Sequence, residues 1–254
     1  MKVRPSFDLM QYLRSKLFDI MWGLWTLLFL PTILLLILFG SPSRGVRMLS
    51  RIWLRGVFFM LRHIVRLDHV EQGHNNIPNF PCIMISNHQS PWETLAFILC
   101  FPDVAIISKK ELLRIPIFGW FVKHYPMILI DRGTGSKALR QMINDSRVAL
   151  DGGRPILIFP EGTRKSVSDR VKFKRGIEFL YSELNVAVLP VAVNSGVFWG
   201  PGKAFKRNGT ITMSFLPPIL PGLSTFEFKR QAEGLLQEEK ERLGSRSVAK
   251  IKTG

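Results

Sequence analysis

Seven short apolar runs, near residues 65–70, 81–86, 104–107, 127–131, 155–159, 186–193 and 210–215, punctuate the later part of the chain. Between them, apolar residues recur at helical spacing. Runs of four to eight apolar residues bounded by turn residues predict strands, and the longer period predicts helices over 91–99, 117–124, 136–150, 174–184 and 224–243. This alternation predicts an α/β domain built on a mostly parallel, mixed sheet flanked by helices. The last helix opens on a capping box, Ser224 to Glu227, and carries an apolar stripe through Phe228, Ala232, Leu235, Leu236 and Leu243. Residues 245–254 read as a basic tail that frays.

The first part of the chain is written differently. Ile20 to Phe39 is an uncharged run, long enough to cross a hydrocarbon core of about 30 Å as a helix. Pro31 near its middle predicts a kink. The run is too long, and the preceding segment too mixed in charge, for a cleaved signal peptide. Lys2, Arg4, Arg14 and Lys16 precede it and Arg44, Arg47, Arg51 and Arg55 follow. With cations on both sides, a segment that dips in and returns fits as well as one that spans.

Arg44, Arg47, Arg51, Arg55, Arg62 and Arg66 fall on one face of a helix at about 100° per residue. Val46, Leu49, Ile52, Trp53, Val57, Phe58 and Phe59 supply the apolar positions of the same helix. This predicts a helix in a membrane interface, with arginines at lipid phosphates and aromatics among acyl chains. The alternative is a helix packed over its own domain with a solvated basic stripe. Residues 1–66 are thus expected to form a membrane-associated helical pair, ahead of an α/β domain over 67–244.

Composition narrows the partners. With 254 residues and 46% hydrophobic content, the chain can bury one full core plus an appendage. Its 35 basic residues against 19 acidic ones leave a net charge of +16. That predicts a polyanionic partner: nucleic acid, anionic lipid or a phosphorylated substrate. A positive mean hydropathy, six tryptophans and the uncharged run favour lipid and argue against nucleic acid. Cys82 and Cys100 stand in apolar surroundings and read as buried free thiols of a reducing compartment. The five histidines are scattered without metal-ligand spacing, so no metal is expected.

Candidate chemistry gathers where strands end. Ile85-Ser86-Asn87-His88-Gln89-Ser90-Pro91-Trp92-Glu93-Thr94 runs from a strand into a helix, so His88 is held by rigid elements yet able to face substrate. Ser90 reads as an N-cap, Pro91 as the first helical residue and Glu93 as the capping-box carboxylate. Glu93 can also turn back on the imidazole, and the two roles are compatible. Lys109, in Lys109-Lys110-Glu111-Leu112, stands at a strand end and can meet a phosphate as a point charge, although paired lysines also suit a solvated turn. In Ile130-Asp131-Arg132-Gly133-Thr134-Gly135-Ser136-Lys137 the glycine and lysine spacing is wrong for a nucleotide phosphate loop. Ser136 reads as a helix cap and Arg132 as the better anion anchor. Phe159-Pro160-Glu161-Gly162-Thr163-Arg164 presents a carboxylate for a hydroxyl and a guanidinium for phosphate oxygens. Glu161 and Arg164 are equally able to pair across the turn. Leu189 to Val193 is a buried strand in which Pro190 implies a strand start or an edge.

In this order and spacing, the stretches from about residue 65 to 220 resemble the glycerolipid acyltransferase family. Asn87-His88 through Glu93 matches its first motif, the strand ending Asp131-Arg132 its second, Phe159 to Arg164 its third and Leu189 to Val193 its fourth; Lys109 matches the lysine before Glu-Leu. Two departures stand out. Glu93 replaces the commoner aspartate, with about 1.5 Å more reach, and Ile128-Leu129-Ile130 lacks the family's frequent phenylalanine. The resemblance implies acyl transfer from a thioester to the sn-2 hydroxyl of 1-acyl-glycerol-3-phosphate (lysophosphatidic acid), giving phosphatidic acid. His88 is then the general base and Glu93 its orienting acid. Lys109, Arg132 and Arg164 anchor phosphate, Glu161 and Gly162 position the glycerol, and Thr163 belongs to the same substrate-binding stretch. No cofactor is implied beyond the co-substrate, a coenzyme A or acyl carrier protein thioester. The implied location is a bacterial inner membrane, its anionic surface included, with the site on the cytoplasmic face. Sister enzymes acting on glycerol-3-phosphate or another lysolipid use the same groups. A non-enzymatic basic membrane-binding protein fits the charge but not the spaced motifs.

Overall fold

Each apolar run read as a strand is one. The computed structural model describes residues 8–253 except 80, 116, 126, 203 and 204, with the side chains of 132 and 248–253 also outside the description. In chain order the strands are β1 (Leu67–Gln72), β2 (Ile83–Ser86), β3 (Ala105–Lys109), β4 (Ile128–Ile130), β5 (Ile156–Ile158), β6 (Val188–Val193) and β7 (Gly209–Phe215). They form one sheet in the order β1-β7-β6-β2-β5-β3-β4. All neighbours are parallel except β6 and β7. The carboxyl ends of β6, β2, β5, β3 and β4 therefore line one edge, where α/β sheets bind ligands.

Successive strand residues face opposite sides, and β2 shows it. Ile83 and Ile85 belong to one buried cluster, Met84 to the other. Helices α6 (Ser136–Asp151), α7 (Gly176–Leu184) and α9 (Thr225–Thr253) cover the first face through Met142, Ile177, Leu180, Phe228, Ala232 and Leu236. The second face is covered by α4 (Trp92–Cys100) and by two N-terminal helices, α1 (Leu9–Leu28) and α3 (Ser43–Met60). Phe18 of α1 and Leu54 and Val57 of α3 are completely or almost completely buried there. At about 1.5–3 kcal/mol for each such side chain, they fasten the N-terminal helices to the α/β layer.

The uncharged run is interrupted two residues before Pro31. α1 gives way at Phe29 to α2 (Leu30–Leu38), which has the proline in its first turn. By length and composition Leu9–Leu38 is apolar enough to cross a membrane, and only 11% of its most apolar window is buried inside the protein. Leu24, Leu28, Leu34, Leu38 and Phe39 are exposed. The near side is held by protein. Phe29 and Ile33 pack with Leu49 of α3 and with Trp120 and Phe121 of α5 (Phe118–His124). Lys206 is buried in an ion pair with Asp19 of α1, between the rings of Phe18 and Trp199.

Four local expectations are corrected. The apolar face of α3 does not meet acyl chains as a whole: Val46, Leu49 and Val57 are buried, Trp53 and Phe58 half-buried, and only Ile52 and Phe59 exposed. Its partners are α1 and α4, which a periodic stripe cannot distinguish from lipid. Two arginines of the basic face are paired as well, Arg47 with Asp103 at 3.0 Å and Arg62 with Asp68 at 3.3 Å. The last helix does not fray at 244 but runs to Thr253, and Ser247 is buried against Asn194 at 2.7 Å. Pro190 sits inside central β6. It is tolerated because the ladder with β7 begins only at Val191, while the Pro190 carbonyl accepts Leu216 N–H at 2.9 Å. Ser136 is the first residue of α6, not its cap. Gly135 holds that place at φ 54°, and Asp131 caps the preceding turn by accepting Gly133 N–H. The capping box of α9 forms as expected, Glu227 N–H donating to Ser224 Oγ and Ser224 N–H to Glu227 Oε2.

Candidate active site

The loop after β2 is tied down before it reaches the histidine. Asn87, buried, accepts Val193 N–H at 2.8 Å and donates to Val193 O at 2.9 Å, stitching the end of β2 to the end of β6. His88 is then clamped through both backbone groups. Its N–H donates to Glu161 Oε2 at 2.8 Å and its carbonyl accepts Lys165 N–H at 2.7 Å. The imidazole stacks on Phe159, with centroids 4.1 Å apart and planes 20° from parallel.

Glu93 is fully buried and collects five hydrogen bonds. Oε1 accepts His88 Nδ1–H at 2.9 Å, Gln89 N–H at 2.5 Å and Ser90 N–H at 2.7 Å; Oε2 accepts the hydroxyls of Ser90 at 2.7 Å and Ser195 at 2.8 Å. The capping role and the histidine contact are made by the same carboxylate, at the first turn of α4, where the helix dipole favours negative charge. Burial alone would raise the Glu93 pKa. The bond and charge of His88, with the bonds from Ser90, outweigh it and hold the group below the usual carboxylate range. An ionised carboxylate on Nδ1 fixes the proton there and leaves the Nε2 lone pair as the basic site. Nε2 has no hydrogen-bond partner among the described residues.

Glu161 stands three residues before Arg164, yet the two are not paired. Glu161 is 3% exposed and turns inward to His88 N–H, while the Arg164 side chain is exposed. Burial, opposed by that N–H and by the charges of Lys240 and Lys165, pushes Glu161 up to about 7. Gly162 turns the chain at φ 71°, and the Lys174 side chain lies so close that a Cβ on Gly162 would meet its Cδ at 3.0 Å. Thr163 and Lys109 are exposed, Lys109 at the end of β3. At about 4.8 Å per strand, β3 lies roughly 10 Å from β2 and β4 roughly 14 Å. Arg132 opens a short turn after β4, and its side chain is outside the described residues. His88, Glu161, Arg164, Lys109 and the Arg132 backbone thus share one edge of the sheet. Asn87's link to β6, Ser195, the Phe159 ring and Lys174 were not singled out from sequence. Ser195 is 102 residues from Glu93 in the chain, and no local spacing marks it. Among the described residues, no three His, Cys, Asp or Glu side chains gather as metal ligands would. Cys82 is buried, and Cys100 donates to Glu71 Oε1 at 3.1 Å.

A carboxylate-held imidazole at the carboxyl edge of a mostly parallel sheet, with cations along the same edge, marks an α/β domain whose site is chemically able to accept a proton beside an anionic ligand. The chain matches the model of the acyltransferase family over residues 69–194. It is 36% identical over 167 residues to the 1-acyl-sn-glycerol-3-phosphate acyltransferase of Pseudomonas aeruginosa, covering 66% of this chain and 65% of that one. With the human 1-acyl-sn-glycerol-3-phosphate acyltransferase beta it shares 30% identity over 141 residues, 55% of this chain and 51% of that one. The match therefore spans less than two thirds of either relative. The fold is that of the 1-acyl-sn-glycerophosphate acyltransferase PlsC from Thermotoga maritima. The TM-score is 0.74 at 22% identity, over 92% of this chain and 98% of the other.

Proposed function

We propose that this protein transfers a fatty acyl group from a thioester to the sn-2 hydroxyl of 1-acyl-sn-glycerol-3-phosphate, yielding phosphatidic acid and a free thiol. The reading is carried by the His88 Nδ1–Glu93 Oε1 bond of 2.9 Å at the strand edge that also holds Arg164 and Lys109. The names of the relatives support the substrate class. Nε2 takes the hydroxyl proton as the oxygen attacks the thioester carbonyl carbon. The tetrahedral intermediate collapses with loss of the sulfur, which leaves with the proton held on Nε2. Glu93 stabilises the transient imidazolium. No acyl-enzyme is needed, since the chain has no Gly-x-Ser-x-Gly elbow. Lys109, Arg132 and Arg164 meet the phosphate, a doubly charged group suited to several cations. Glu161 and Gly162 set the turn that presents Arg164, leaving the exposed Thr163 hydroxyl for the glycerol.

The exposed apolar side of α1–α2, with Arg44 and Arg55 nearby in the chain, supports a seat on an anionic membrane, where the insoluble acceptor is concentrated. We assign it to the cytoplasmic face of a bacterial inner membrane, where thioester donors are available. The test is transfer by purified protein from coenzyme A and carrier-protein thioesters to a panel of acceptors, with products identified by mass spectrometry. The expected product is phosphatidic acid, lost in His88→Ala without loss of liposome binding. Preference for glycerol-3-phosphate or another lysolipid would reassign the acceptor, and wild-type turnover in His88→Ala would remove the proposed base.

A further inference from the structure

The loop that leaves β5 does more than present Arg164. From Arg170 it runs along α9, pinned by side chains of that helix: Val171 N–H donates to Gln237 Oε1 at 2.8 Å and Phe173 N–H to Glu233 Oε1 at 2.6 Å. Lys240 donates to the Asp169 carbonyl, and Lys174 N–H to the Pro160 carbonyl at 2.9 Å. Burial alternates along this segment. Val171 and Phe173 enter the core at 6% and 4% exposure, while Arg170, Lys172, Lys174 and Arg175 project outward. The result is a rigid rail of cations.

Among the described residues none of Arg164, Arg170, Lys172, Lys174 and Arg175 forms an ion pair. The neighbouring carboxylates are engaged elsewhere. Asp169 accepts Ser166 N–H, Glu233 the Phe173 N–H, and Glu178 pairs with Lys229. Like charges held this close repel one another, so the arrangement favours a polyanion.

Two features of place and spacing say which. Val171 and Phe173 pack with Ile83 and Ile85, whereas α1 and α3 pack on the other side with Met84. The rail is therefore on the opposite face of the sheet from the exposed apolar helices, away from lipid. Alternate residues of an extended segment stand about 7 Å apart, near the separation of about 5–6 Å between acidic residues one turn apart on a helix. Cations that converged on one point would suit a pyrophosphate; these are spread along a line. We infer that residues 170–175 are the docking rail for an acidic carrier protein that presents the acyl thioester to His88, an inference resting on the acyl-transfer reading above.

The test compares full-length wild type with an Arg170→Glu, Lys172→Glu, Arg175→Glu triple variant. Acyl transfer to lysophosphatidic acid is measured from an acyl carrier protein thioester and from a coenzyme A thioester of the same chain length. The expected outcome is that the variant's carrier-to-coenzyme ratio of kcat/KM falls at least about tenfold, a change within the range of electrostatic steering. A charge-neutral version, with glutamine at the three positions, should fall by less and guards against misfolding, checked by circular dichroism. In wild type, transfer from the carrier should lose more to added salt than transfer from coenzyme A. Equal losses on both donors, or a wild type that uses only the coenzyme A thioester, would overturn the rail while leaving acyl transfer standing. A wild type that transfers from neither donor would remove the acyl-transfer reading, and the rail with it.

Discussion

Replacing Glu93 with glutamine separates the cap that its carboxylate forms from the catalytic duty proposed for it. The amide is close in shape, and its oxygen can still accept the three N–H groups that Oε1 now accepts. Its NH2 group faces the hydroxyls of Ser90 and Ser195, which can rotate from donating to accepting. The fold should therefore survive with a loss of roughly 1–2 kcal/mol. The charge does not survive. At the 2.9 Å separation of Nδ1 and Oε1, a unit charge stabilises an imidazolium by about 6 kcal/mol at an effective dielectric of roughly 20. At 1.36 kcal/mol per decade this corresponds to about 10⁴ in rate. Spread of the positive charge over the ring reduces the expectation to about 10²–10⁴ in kcat, with KM for the lysolipid nearly unchanged. Steady-state kinetics on detergent-dispersed lysophosphatidic acid, with thermal melts on the same samples, gives both numbers. By contrast, Glu93→Ala leaves five donors without an acceptor, four of them buried, at about 1–3 kcal/mol for each buried one, enough to unfold a domain of ordinary stability. A glutamine variant that melts like wild type and turns over like wild type would show that Glu93 only caps α4.

Glu161 supplies a pH signature. Its folded pKa, raised by burial to about 7 from 4.5, means that the native state holds a proton the unfolded chain has lost. Its contribution is fully present below about pH 4.5 and disappears as pH rises through about 7, a loss of about 3 kcal/mol. Urea unfolding at several pH values should show this slope in wild type and not in Glu161→Gln; equal slopes would assign it to other groups. Gly162→Ala meets both a φ of 71° and the Lys174 chain at 3.0 Å. It should lower stability by about 1–2 kcal/mol and raise KM by displacing Lys174 and Arg164, and unchanged kinetics would separate that turn from substrate binding. Arg164→Ala should raise the KM for the lysolipid with kcat largely kept, and a lowered kcat at constant KM would move Arg164 from phosphate holding to the reacting centre.

Where strands end was readable in advance, and that alone brings His88, Glu161, Lys109 and Arg132 to one edge, because parallel strands deliver their carboxyl ends together. Which loop folds onto which was not readable. Whether Glu161 would pair with Arg164 three residues away or reach elsewhere is settled by His88 N–H, 73 residues earlier in the chain, and no local pattern encodes that distance. The same limit explains α3. Its apolar stripe is equally suited to acyl chains and to protein, and the choice was made by Phe18 of α1 and Trp92 of α4, which share its buried cluster. The extra methylene of Glu93 follows this logic too. Local reading treated it as a departure, whereas in the fold it reaches Nδ1, two backbone N–H groups and a serine 102 residues away at once. His88 is thus positioned twice, through its ring by Glu93 of α4 and through its backbone by the 161–165 loop. A ligand that pulls on Arg164 or on the cation rail beyond it acts on the same loop that holds His88 in place.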